Sequence, residues 1–292
     1  MRGPRDSATL SKMSDTGCFA QFKAQFRRDK LPPQSLRDFD DGHTWCTAFG
    51  TSSLQVLSDR RQYLRFRALL TLLISAIWIW GVAESFTKCS NSDGKFLIFL
   101  TNWTLTAETL YFWFALGTTW RAHACLDSLR GAGQAPPPAP WFMRATWALQ
   151  SVALNGSFTV VVLFWGLLAP QAGLPDAMGY FAHGVNFLLA AADMYASRQP
   201  YYVAHVSMYA AFAACYVLFS LVYYGAGGTD CVGNDYVYPV LDWSKPGATV
   251  LVGVGVFFVG IPSFTAILFS AISRFPGARF QPPDAETSAP ML

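Results

Sequence analysis

Thr101 and His183 are the two residues of this sequence whose types could together do chemistry. A threonine hydroxyl becomes a nucleophile when a base takes its proton, and an imidazole does this well near neutral pH. Of the four histidines, only His183 lies deep in an apolar run. Asn186 follows it by three residues, one helical turn away on the same face, where it could orient the ring. Asn102, beside Thr101, or nearby backbone amides would stabilise an oxyanion. Together these groups fit attack on an ester carbonyl. Each also has a structural reading. Threonines recur between packed membrane helices, where they bond a preceding carbonyl. Asn186 and Glu108 can serve as buried hydrogen bonders, and Glu84 can snorkel to the interface.

The elements that must hold these residues are apolar runs. Of 292 residues, 52% are apolar and only 13% charged. A chain this poor in charge cannot cover a water-facing surface, which argues against a soluble enzyme and a disordered scaffold. Six runs are long enough to span a bilayer: 68–87, 96–118, 145–168, 177–196, 201–224 and 248–272. The fourth is the most polar, with His183, Asn186 and Asp193. The expected fold is all-α, a polytopic bundle of six transmembrane helices. At 1.5 Å per residue, Thr101 lies roughly 8 Å and His183 roughly 9 Å below the outer boundary, so the pair shares a depth. Asp193 and His205 fall near the inner side.

Twelve of the 21 Lys and Arg precede residue 68. With the N-terminus in the cytosol, 18 of the 21 lie on the cytosolic side, leaving Lys88, Lys95 and Lys245 outside. Both termini are therefore expected in the cytosol. The chain divides into a basic, largely disordered head (1–67), a six-helix domain (68–272) and a disordered tail (273–292). No cleavable signal peptide or lipidation motif is apparent, and the expected location is the plasma membrane or endoplasmic reticulum. The folded part is nearly neutral, so no nucleic-acid partner is expected; the bilayer is the evident one.

Six cysteines stand at positions 18, 46, 89, 125, 215 and 231. Only Cys89 and Cys231 fall on the outer side, where they could pair, and the other four are expected to stay reduced. No zinc-ligand spacing occurs, no second deep histidine offers haem ligation, and no nucleotide-binding loop is present, so no metal or cofactor is expected. The sequons at Asn102 and Asn155 lie inside spans and are not expected to be glycosylated.

The third outer loop is more specific. Its run Tyr223-Tyr-Gly-Ala-Gly-Gly-Thr-Asp-Cys-Val-Gly-Asn-Asp-Tyr-Val-Tyr-Pro-Val-Leu-Asp-Trp-Ser-Lys-Pro-Gly resembles the signature of Rolling stone-like proteins, and His183-Gly-Val-Asn-Phe-Leu looks like their fourth-span motif. Those are multi-span membrane proteins named for a factor in insect myoblast fusion. They are in turn distantly similar to the androgen-induced membrane hydrolases, which cleave fatty acid esters of hydroxy fatty acids with an intramembrane Thr and His. The stretch Phe99-Leu-Thr-Asn-Trp, followed by Glu108-Thr-Leu-Tyr-Phe, loosely matches the motif that carries that threonine, with Glu108 in place of an amide. The resemblance thus implies Thr101 as nucleophile and His183 as base, with an acyl-ester lipid as substrate. The alternative is a non-enzymatic membrane protein acting in cell fusion, adhesion or signalling. The Gly-rich loop itself reads as turn material or as a lid over an outer-leaflet cavity.

Overall fold

The computed structural model describes residues 42–88, 95–132 and 138–274. A short helix α1 (Gly42–Gly50) precedes six long helical rods. These are α2 (Arg60–Lys88), α3 (Leu100–Ala132), α4 (Trp141–Leu163, continuing through Phe164–Leu168 and Ala169–Ala172), α5 (Ala177–Tyr180, Phe181–Val185, Asn186–Ala196), α6 (Val206–Gly225) and α7 (Pro246–Gly255, Val256–Gly260, Ile261–Ile272). No strand occurs among the described residues. Among the described residues, four helices are long and apolar enough to cross a membrane: Arg60–Lys88, Trp141–Leu168, Val203–Gly225 and Pro246–Ile272. The two more polar rods, α3 and α5, turn their polar residues inward: Thr104, Glu108, Asn186 and Asp193 are all buried. Expensive polar groups face the bundle interior rather than lipid.

Caps and packing set the ends. Asp59 accepts the Gln62 N–H (2.9 Å), so α2 begins at Arg60 rather than at residue 68. Asp176 accepts the Gly179 N–H (2.9 Å) and starts α5. Pro246, which has no N–H to waste, opens α7. The central helix is α3, packed on α1, α2 and α4. A Cβ at Gly156 of α4 would lie 3.0 Å from Thr104 Cγ2 and 3.4 Å from Tyr209 Cε2, so this glycine lets α3 and α6 approach.

Three rods are interrupted by π turns, Phe164–Leu168, Phe181–Val185 and Val256–Gly260. A π turn shifts the hydrogen-bond register. The His183 carbonyl in the second one accepts the Trp165 indole N–H (2.9 Å).

The largely disordered head expected for 1–67 does not extend to its last third. In α1, Trp45, Cys46, Ala48 and Phe49 pack against Ala122, Cys125, Met143 and Trp147, capping one end of the bundle. Ser52 then donates to the Ala196 carbonyl (2.7 Å), and His123 Nε2 meets the Gly50 carbonyl (2.8 Å). Apolar residues at 45, 48 and 49 give the segment a face to bury, which its basic surroundings obscure.

The cysteine reading also needs correction. Cys46 and Cys125, expected reduced, form a disulfide with a Cα–Cα distance of 6.2 Å. The compartment argument missed it because α1 packs beside α3 and brings the two sulfurs together. Cys215 is free and exposed. Cys231 is disulfide-bonded, whereas Cys89 lies outside the described residues.

Candidate functional site

Two cavities meet near the end of the bundle where α3 begins. The larger, about 520 Å³, is a vestibule whose mostly apolar walls carry the polar side chains of Thr101, Asn102, His183, Glu84, Lys88 and Asp176. The smaller, about 120 Å³, is apolar, lined by side chains such as Val160, Leu163, Ala213 and Val217. Thr101, Phe164, Leu168 and Tyr238 border both. Each of the three π turns contributes wall: Phe164 and Leu168 to both cavities, His183 to the vestibule, Val256 and Phe257 to the apolar one. Such turns re-aim side chains that regular helix would place elsewhere.

Thr101 sits in the first turn of α3, where backbone N–H groups lack helical partners and carry the positive end of the helix dipole. Its hydroxyl and backbone, with the Leu100 backbone, lie near the Tyr238 phenol, close enough to act on it electrostatically but without a well-aligned hydrogen bond. Tyr216 donates to the Ile98 carbonyl just before the helix (2.7 Å).

His183 enters the vestibule from the π turn of α5. Its ring stacks on Phe164, with centroids 3.6 Å apart and planes 3° from parallel. Its Nδ1 is buried with no hydrogen-bond partner. Thr101 and His183 thus line one cavity from two helices, without a direct hydrogen bond between them.

The supporting residues behave differently. Asn102 lines the vestibule, but its Nδ2 donates to the Phe96 carbonyl (2.8 Å). Asn186 does not orient His183. It is fully buried beside Glu108, close enough to interact electrostatically but without a well-aligned hydrogen bond on either side chain. The intervening π turn is the reason, since it rotates residue 186 away from the face that regular helical spacing assigns it.

Charge rings the vestibule mouth. Lys88 pairs with Asp176 and with Glu84 (2.9 Å). The hydrogen bond from Lys88, joined by that from the Gly179 N–H, holds the Asp176 carboxyl below the usual carboxylate range. Lys95 donates to the Thr229 carbonyl (3.0 Å), the Thr229 hydroxyl (3.1 Å) and the Asp230 carbonyl (3.0 Å), stitching the segment before α3 to the loop between α6 and α7. In that loop Asp230 accepts the N–H groups of Val232 (2.9 Å) and Asn234 (2.8 Å). These bonds fold a turn that delivers Tyr238 to the site. Further on, Asp242 accepts the Ser244 N–H (3.0 Å) and its own carbonyl accepts the Thr249 hydroxyl (2.6 Å), fixing the entry to α7.

Sequence reasoning missed two residues here. Tyr238 lies in a loop whose glycines drew attention to its turns. Arg67, counted among the cytosolic cations, is fully buried: Nε and Nη2 bond the Asp193 carboxylate (3.0 and 3.2 Å), and Nη1 bonds Thr119 (2.8 Å). Arg67 ends a basic stretch with Arg60, Arg61 and Arg65, which hid it among surface cations; the buried Asp193 in the fifth helix was the available signal.

The family profile described as Protein rolling stone matches residues 39–275. Protein rolling stone of Drosophila melanogaster is 29% identical over 215 residues, which cover 71% of this chain and 75% of the fly protein. No solved structure matches. The match spans the α1 cap, all six rods and the outer loop that carries Tyr238, and the chain belongs to the rolling stone family of membrane proteins.

Proposed function

We propose that this protein is an intramembrane lipid-ester hydrolase, with Thr101 as nucleophile and His183 as general base. The observation that carries this reading is the place of Thr101, on the wall shared by the vestibule that holds His183 and the charged mouth residues and by a smaller apolar cavity. An ester of two fatty chains fits that layout, with acyl chain in the apolar cavity, carbonyl at Thr101 and polar end in the vestibule. Fatty acid esters of hydroxy fatty acids have this form. Thr101 Oγ1 attacks the carbonyl carbon while His183 takes its proton. The C–O bond to the alcohol breaks, and His183 returns the proton to the departing oxygen. Water, deprotonated by the same imidazole, then cleaves the acyl-threonine. The positive end of the α3 helix dipole, at Thr101, favours the developing negative charge.

In this reading α3 and α5 also cross the bilayer, giving six spans with both termini cytosolic, in the plasma membrane or endoplasmic reticulum. Positive residues at the inner end and the inward-facing polar stripes of α3 and α5 support it.

A second reading is a non-enzymatic membrane protein in cell fusion, adhesion or signalling. It is favoured by one observation, that the His183 Nδ1 has no hydrogen-bond partner and makes none to Thr101. The two separate in one assay: purified protein in detergent, hydrolysis of a branched fatty-acid ester, with Thr101→Ala and His183→Ala variants that elute like wild type. Turnover abolished in both supports the hydrolase. A well-folded wild type that turns over none of several esters leaves the second reading.

A further inference from the structure

We propose that Tyr238 is a further catalytic residue, donating a hydrogen bond to the oxyanion formed when Thr101 attacks the ester. The proposal rests on the hydrolase reading and deepens it. Three observations carry it. First, the Tyr238 phenol lies beside the Thr101 hydroxyl and the start of α3, and the two side chains share the wall of both cavities. The carbonyl oxygen of a bound ester is separated from the attacking Oγ1 by one carbon, so a donor beside Oγ1 reaches the oxyanion with a small movement of its hydroxyl. The phenol only turns its hydroxyl toward the oxyanion; no proton leaves it.

Second, the ring is held before substrate arrives. It lies edge-on to Phe99 (centroids 6.0 Å, planes 70° apart) and near Tyr216 (6.4 Å), itself fixed by the Ile98 carbonyl. The backbone that presents it is anchored by Lys95 and by Tyr223, whose hydroxyl donates to the Thr229 carbonyl (2.9 Å). A donor fixed in advance costs no reorganisation during reaction. Third, Tyr238 borders both cavities, as Thr101 does, whereas Asn102 has already committed its Nδ2 to Phe96. The outer loop therefore acts as part of the site and not as a connector alone.

The test is Tyr238→Phe, which keeps the ring and removes the donor. Loss of one oxyanion donor lowers kcat by about 10²–10³, with KM little changed. Two inhibitors exclude a merely structural effect: a trifluoromethyl ketone, which forms a tetrahedral oxyanion on Thr101, and the non-hydrolysable ether of the same lipid. Tyr238→Phe is expected to weaken the ketone strongly and leave ether affinity at the wild-type value. Unchanged kcat, or equal weakening of ketone and ether, overturns the role of Tyr238 while leaving the hydrolase reading intact. An inactive, well-folded wild type removes both.

Discussion

Arg67 and Asp193 form a two-pronged ion pair inside the bundle, with side chains 1% and 0% exposed. Tyr111 adds a hydrogen bond to the same carboxylate, the Ala115 carbonyl accepts from Arg67 (3.2 Å), and Arg67 lies over the Tyr63 ring (5.0 Å). The pair joins α2 to α5 with α3 between them, and so fixes the helix that carries His183 relative to the one that carries Thr101.

Removing one partner strands a buried charge. Asp193→Ala is expected to destabilise by about 3–5 kcal/mol, whereas a matched apolar replacement of both residues costs far less. Thermal unfolding in detergent distinguishes the two; equal melting points for the single and double variants would contradict the account.

Glu108 sits one helical turn outward from Tyr111, with neither carboxyl oxygen hydrogen-bonded. An unpaired charge at that place is costly, so a neutral isostere suits it. Glu108→Gln is expected to keep or raise the melting temperature, and Glu108→Lys to prevent a monodisperse elution peak. A strong loss of stability in Glu108→Gln would show that the carboxylate is required.

Close approach at Gly156 sets the width of the helix packing around the apolar cavity. Gly156→Leu must displace Thr104 and Tyr209, at a cost of about 1–3 kcal/mol. Because Tyr209 lines that cavity, ester turnover should also fall; a variant with wild-type melting and turnover would show the contact to be slack.

Acid should loosen the vestibule mouth through Asp176. Its folded pKa is lowered by Lys88 and by the Gly179 N–H, so its contribution is present above its ordinary value of about 4 and is lost as pH falls through the lowered one. Asp176→Asn is expected to flatten the acid limb of a melting-temperature profile and leave the neutral region little changed. An unaltered acid limb would contradict this.

Much of the bundle could be read from apolar runs, because lipid enforces helix and long runs declare themselves. Thr101 and His183 were legible through depth arithmetic alone, and they do line one cavity. What escaped depends on geometry that spacing does not encode. A π turn moved Asn186 off the His183 face, and α1 brought Cys46 beside Cys125. Arg67 looked like a surface cation until α5 supplied Asp193. Tyr238 is 137 residues from Thr101 along the chain, so only folding places them together.

The most direct test of the account is a covalent one. Purified protein is incubated with a slowly hydrolysed ester, quenched in acid and mapped by peptide mass spectrometry. The account predicts one acyl group on Thr101, absent in Thr101→Ala and formed far more slowly in His183→Ala. Ester turnover with the acyl group on another residue, or with none on Thr101 at any time, would contradict it.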